Sequence, residues 1–177
     1  MDARGVIERL VANGVPYLVT GSTALSFYAP PRNTADIDLL LGITPPDYEA
    51  RLRPLFEPDA YLAALVESKP DMMGQLHVGA LRFDLIIRPG PWTDARFARG
   101  RRFDDPVLGQ ALVTSPEDLL LAKLESHASM PTGLQWTDAA KLRDHVPDLD
   151  WEYIDRWGSI LGFADSIRAL RTAPPER

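Results

Sequence analysis

The chain has 177 residues, a formal net charge of −6, 45% hydrophobic residues and no cysteine. Its length and apolar content fit one domain with a proper core, or a small domain plus a helical appendage. The lack of cysteine excludes disulfides and zinc–thiolate sites, the acidic balance argues against broad non-specific nucleic-acid binding, and no apolar run approaches the roughly 20 residues of a membrane span.

The N-terminus, MDARGVIERL, reads as the start of a charged amphipathic helix without a signal-peptide core. A cytoplasmic location with no membrane partner is therefore expected. The helix covers 3–13 and closes at Asn13-Gly14, a left-handed stop. Pro16 to Thr20 is a short buried strand. Ser22 is placed to cap a helix to about Tyr28, ended by Pro30-Pro31. Asp36 to Leu41 is the next strand, and Pro45 to Phe56 suits a helix with proline in its first turn. Asp59 to Lys69 is expected to add another helical turn or two. Gln75–Val78 and Ala80–Arg88 form a hairpin about Gly79, and Val107–Val113 is a last strand.

Ser115-Pro116-Glu117-Asp118 then announces a helix, with a serine cap, proline at the first position and acids in the first turn. Further helices are expected at 137–146, 150–161 and 163–171. Strands mixed with helices, then helices alone, predict an α+β fold with a small mixed sheet. The expected organisation is a core over 1–114, a helical C-terminal subdomain over 115–172, and a frayed tail over 173–177.

The chemistry gathers in YLVTGSTALSFYAPPRNTADIDLLLG, residues 17–42. Gly21-Ser22 ends an apolar strand and opens a helix, and a helix start offers unpaired N–H groups to a phosphate. A plain strand-to-helix turn would read the same way. Asp36 and Asp38 are one residue apart, so on a strand they share a face. Acids are depleted in strands, and two on one face call for a counter-charge such as a divalent metal, unless both lie solvated in the preceding loop. Asp84 lies within the strand-like run Leu81–Ile87, where a carboxylate needs a partner or an outward-facing position.

In that order, a Gly-Ser turn, an Asp-x-Asp strand and a later lone Asp resemble the nucleotidyltransferase superfamily of DNA polymerase β. Arg32-x-Thr34-x-Asp36-Ile37-Asp38 is similar to the smaller bacterial members, and Ser115-Pro116-Glu117-Asp118-Leu119-Leu120-x-x-Lys123-Leu124, then Leu142-Arg143-Asp144, are similar to their AbiEii-type toxin branch. The resemblance covers about Gly14 to Phe163. It implies that Asp36, Asp38 and Asp84 hold two Mg2+ ions, that Gly21 and Ser22 cradle the phosphates of a nucleoside triphosphate, and that Lys123 and Asp144 are later functional residues, with Lys123 as a phosphate contact; Arg32 either meets a phosphate or pairs with an acid. It also implies transfer of a nucleoside monophosphate to an acceptor, which could be RNA, protein or a small molecule, and it allows a cognate antitoxin as partner. A non-catalytic binding module on the same fold is the competing reading.

Lys123 stands out independently. Positions 116, 119, 120, 123, 124 and 127 share one helical face, so its ammonium lies in an apolar stripe and either snorkels to solvent or points into a site. His77, His127 and His145 show no metal-ligand spacing. The four tryptophans, at 92, 136, 151 and 157, read as packing residues, and the arginines at 96, 99, 101 and 102 as a solvated basic face.

Overall fold

The computed structural model describes residues 1–68, 70–129 and 133–175. They form two compact units: Met1–Thr23 with Asn33–Thr114, and Ala24–Arg32 with Ser115–Arg177.

The first unit is built on a mixed sheet. Its strands are β1 (Tyr17–Thr20), β2 (Asp36–Leu41), β3 (Tyr61–Leu62), β4 (Val66–Ser68), β5 (Asp71–Val78), β6 (Leu81–Ile87), β7 (Arg101–Asp105) and β8 (Gly109–Val113). They lie in the order β3-β5-β6-β2-β1-β8-β7, with β4 also pairing β5. β2 runs parallel to β6 and β1 parallel to β8, and the other pairings are antiparallel. The sheet is apolar where it is buried: Leu18, Val19, Leu39, Leu40, Phe83, Ile87 and Val113 are inaccessible to solvent. Helix α1 (Ala3–Ala12) adds Val6, Ile7 and Leu10 to this core. Asp2 caps it, accepting from the Gly5 amide at 2.9 Å, and the chain turns away after Asn13.

The stretch expected as one helix over Pro45–Phe56 is helical throughout but not uniform. α3 (Pro45–Asp47) runs into a π-helical turn (Tyr48–Leu52) and then α4 (Arg53–Phe56). Tyr48 is buried here. Its hydroxyl donates to the Ala63 carbonyl at 2.8 Å, and burial pushes its pKa up to about 12. A Cβ on Gly74 would lie 2.1 Å from that hydroxyl, so only glycine lets the tyrosine cross β5.

Four expectations are corrected. The segment from Asp59 is not helical: β3 and β4 occupy it. Strand β5 begins at Asp71, earlier than the sequence suggests, and its edge groups need partners. Leu62 pairs with Leu76 and Val66 with Met73 to supply them. Lys69, the end of that expected segment, lies outside the described residues. Helix α2 (Gly21–Leu25) is shorter than predicted and starts at Gly21, so Ser22 sits inside its first turn rather than at the cap. Residues 91–105, read from sequence only as a basic stretch, form α5 (Pro91–Arg99) and the edge strand β7.

The second unit contains α6 (Pro116–Ser129), α7 (Gly133–His145), α8 (Trp151–Leu161) and α9 (Ala164–Thr172). Ser115 caps α6 as its sequence announces: its hydroxyl accepts from the Asp118 amide at 3.2 Å and donates to that carboxylate at 2.7 Å. Both acids of this first turn are buried and bonded. Glu117 accepts from the Asp150 amide at 3.2 Å, and Asp118 from the Tyr153 hydroxyl at 2.7 Å, which ties α6 to α8. The expected frayed tail extends into residues 176–177, outside the described residues. Among the described residues no helix is long and apolar enough to cross a membrane.

Candidate active site

The site of the first unit lies where β1 ends and β2 begins. The register sets Thr20 opposite Asp38, Asp38 opposite Asp84, and Asp84 opposite Gln75 across four neighbouring strands. Directly paired residues share a face and neighbouring strands run about 4.8 Å apart, so one polar row crosses the sheet. Asp36 stands two residues from Asp38 on the same face, opposite Arg82. Burial explains why the row can be polar. β2 is half-buried over Asp36, Ile37 and Asp38 before it enters the core at Leu39. On β6, Phe83, Leu85 and Ile87 are buried while Arg82, Asp84 and Ile86 are half-buried. The three acids named from sequence are therefore on one face of two adjacent strands.

Gly21 closes the row at its top. It has φ of +61°, and a Cβ there would fall 1.8 Å from Asp38 Oδ2. The glycine is required twice, by the left-handed backbone and by the carboxylate lying across it. The Gly21 backbone and the Asp38 side chain are thus close neighbours.

The charges of the row are already engaged. The Arg82 guanidinium hydrogen-bonds Asp36 and lies 3.3 Å from Asp84 Oδ1. The Thr34 hydroxyl donates to Asp36 Oδ1 at 2.7 Å, and Gln75 donates to Asp84 at 3.0 Å. The Asp36 carboxyl is held below the ordinary carboxylate range, first by the Thr34 hydrogen bond and then, against some desolvation, by Arg82. The arginine is raised in turn, chiefly by its bond to Asp36. Among the described residues no three acidic or histidine side chains converge as a ready metal-binding group. The donor chemistry nonetheless fits a hard cation: carboxylate oxygens on one face, with a guanidinium standing where a counter-charge is needed. Asp36, Asp38 and Asp84 would hold the metal once Arg82 turned aside.

Arg96, read from sequence as part of a solvated basic face, is corrected by the structure. It is only 4% exposed. Its guanidinium lies over Trp92 at 4.9 Å and donates to Thr20 Oγ1 at 3.2 Å, beside the acid row. The signals were present: Pro91 marks a helix start, and the spacing of four puts Trp92 and Arg96 on one face.

In the second unit, Lys123 is buried rather than snorkelling. Its Nζ lies 2.8 Å from Asp138 Oδ2, and Arg32 Nε lies 3.2 Å from the same oxygen. Asp138, fully buried at the centre of this trio, was not singled out from sequence, where one acid on a helix carries no signal of its own. Asp144 is engaged elsewhere. It pairs with Arg143 at 2.6 Å, and Arg143 donates to the carbonyls of Leu170, Ala173 and Pro174, fastening α7 to the end of α9. The structure brings Arg32 and Lys123 together and gives Asp144 a different partner.

His77 lies by Tyr61, His127 by Trp136, and His145 bonds the Lys141 carbonyl. Trp92 is buried, and Trp151 carries the Arg171 guanidinium at 4.2 Å.

No protein-family model matches the chain, and no curated protein matches its sequence. Solved structures do. A protein of Thermotoga maritima, TM1012, named as a candidate nucleotidyltransferase, is 17% identical with a TM-score of 0.56 over 72% of this chain and 84% of its own. The antibiotic-resistance factor ANT(2″)-Ia is 16% identical with a TM-score of 0.56, covering 97% of both chains. An antigenic nucleotidyltransferase-like protein of Paracoccidioides brasiliensis is 13% identical with a TM-score of 0.51 over 98% of this chain and 92% of its own. The mixed sheet flanked by helices is the fold of these nucleotidyltransferase-type proteins.

Proposed function

We propose that the protein is a nucleotidyltransferase that moves a nucleoside monophosphate from a triphosphate to an acceptor, with release of pyrophosphate. The register that sets Asp38 beside Asp84, with Asp36 on the same face and Gly21 against the Asp38 carboxylate, carries this reading. Divalent metal, when bound, would polarise the α-phosphate and serve the entering and leaving oxygens. The protein's own residues do the positioning. Asp36, Asp38 and Asp84 would hold the metal, and the backbone N–H groups of the Gly21-Ser22 helix start would meet phosphate oxygens beside them.

A small cationic molecule is the acceptor favoured over RNA or protein. The support is the net charge of −6, together with likeness along the whole chain to ANT(2″)-Ia, a protein whose structure is known in complex with adenylyl-2″-tobramycin. The toxin reading, with its antitoxin partner, rests on the motifs around Lys123 and Asp144 alone. A second reading, nucleotide or partner binding without turnover, is favoured by one observation: Arg82 already pairs with two of the three acids.

Incubation with Mg2+ and each of the four α-labelled triphosphates, with an aminoglycoside and with RNA as acceptors, separates the readings. Label transfer or pyrophosphate release that disappears in Asp38→Ala supports the enzyme. Metal-dependent nucleotide binding with no release supports the binding module. Neither turnover nor binding refutes both.

A further inference from the structure

Among the described residues, strand β7 ends the sheet of the first unit, and its one strand partner there is β8. Its sequence is Arg101-Arg102-Phe103-Asp104-Asp105. Edge strands present a row of N–H and C=O groups that can template another strand, and charges on the edge normally prevent this. Here the order of the charges makes the strand complementary to a second copy of itself. Read against itself in the antiparallel sense about Phe103, the strand sets each arginine opposite an aspartate.

We propose that β7 is a homodimerisation edge, at which two copies of this chain join their sheets by antiparallel pairing of Arg101–Asp105 about a two-fold axis at Phe103. The two faces of the strand divide the work. Arg102 and Asp104, both exposed, lie on one face and meet Asp104 and Arg102 of the second copy. On the other face Phe103, half-buried, meets its own symmetry mate, flanked by Arg101 and Asp105 in opposite-charge pairs. Asp105 uses one oxygen, Oδ1, to accept from the Val107 and Leu108 amides at 2.8 Å, which fixes the end of the strand. The same carboxylate's Oδ2 is the atom that meets Arg101 of the second copy.

The charges also select the register. Antiparallel strands related by a two-fold axis pair residues of the same face, so the neighbouring symmetric registers set Arg102 against Arg102 or Asp104 against Asp104. Like charges directly opposite are destabilising, so the Phe103-centred register is the one that remains. Apolar surface extends the contact. Val107, in the turn after β7, is 61% exposed, and Val11 of α1 is 60% exposed. Val11, Phe103, Arg102 and Asp104 line one open cavity of about 820 Å³. This inference is independent of the proposed activity.

The test is analytical ultracentrifugation of the full chain across concentrations up to hundreds of micromolar, with circular dichroism as the check on folding. The wild type is expected to move from 19.7 kDa to twice that mass. Arg102→Asp and Asp104→Arg should each stay monomeric. An equimolar mixture of the two should form a one-to-one dimer, because each then opposes the other's charge, and the double swap Arg102→Asp/Asp104→Arg should dimerise alone. If a charge reversal disturbs folding, Arg102→Ser is the second variant. It removes two cross-strand pairs per dimer and should weaken dimerisation about 2- to 30-fold. A wild type that is monomeric throughout, a dimer indifferent to Arg102→Asp and Arg102→Ser, or two monomeric variants that fail to combine would overturn the proposal.

Discussion

Replacing Gly21 with alanine tests the geometry on which the candidate site rests. The residue has φ of +61°, and a new Cβ would lie 1.8 Å from Asp38 Oδ2, 2.5 Å from its Cγ and 2.9 Å from its Cβ. Two costs follow. The left-handed backbone costs a non-glycine residue roughly 1–2 kcal/mol. The overlap cannot be relieved by a small shift, because three atoms of one half-buried side chain are involved, and overpacking of this kind costs about 1–3 kcal/mol. The sum is about 2–5 kcal/mol, a fall of roughly 4–20 °C in Tm at this chain length. A double-mutant cycle separates the two contributions. In an Asp38→Ala background the Oδ2 and Cγ contacts vanish and only the contact at 2.9 Å persists. Gly21→Ala should then cost about 1–2 kcal/mol less than it does in the wild type, a coupling that urea unfolding resolves. If Gly21→Ala is as stable as the wild type, or the cycle shows no coupling, Asp38 does not lie across Gly21 and the site is not built as described.

Asp138→Asn should destabilise the protein by about 3–5 kcal/mol, because it removes the shared partner of a buried lysine. Lys123→Met should cost less, since Arg32 still faces the carboxylate at 3.2 Å. Urea midpoints showing the reverse order would refute the shared-partner description. Asp36 has a lowered pKa, so the stability it contributes is present above the unfolded value of 3.8 and is lost as pH falls through the lower folded value. Thr34→Val removes the foremost cause, so carboxyl NMR titration should show Asp36 moving up toward 3.8, with acid unfolding beginning at higher pH. An unmoved titration would show that the hydroxyl is not the donor. Arg96→Lys keeps the charge but loses the planar stack on Trp92, and should lower stability by about 1–2 kcal/mol, read as a Tm shift. No shift would return Arg96 to the solvated face.

What was legible in the sequence was local or periodic. Asp36 and Asp38 share a face because strands alternate, and this needs no knowledge of neighbours. The Ser115 cap, the Gly79 turn and the helical stripe around Lys123 are of the same kind. The segment from Asp59 was misread because its state is decided by a distant strand. Val66–Ser68 is extended because the Asp71–Val78 edge accepts it, and nothing within 59–69 records that edge. Likewise Arg101–Asp105 has no apolar alternation to mark it as a strand. It is one because Gly109–Val113 pairs with it.

Partner choice among charges was the least legible property, and the two trios show why. Lys123 could be placed in an apolar stripe, where burial forces a carboxylate partner on it. Several acids were available, and only the packing of α6 on α7 selects Asp138 over Asp144. For the acid row the ambiguity bears directly on function. Arg82 shares a face with Asp84 by the same alternation that aligned the acids, so a counter-charge within the chain was as derivable as a metal. A site whose acids are partly offset by its own arginine can remain folded without metal. It must also give up that ion pair when metal binds, so metal affinity should rise when Arg82 is replaced by glutamine. Isothermal titration with Mn2+ reads this without any acceptor. Tighter binding in Arg82→Gln, abolished by adding Asp38→Ala, would place the metal and the arginine in competition for one set of carboxylates. Equal or weaker binding would show that Arg82 is a fixed part of the row.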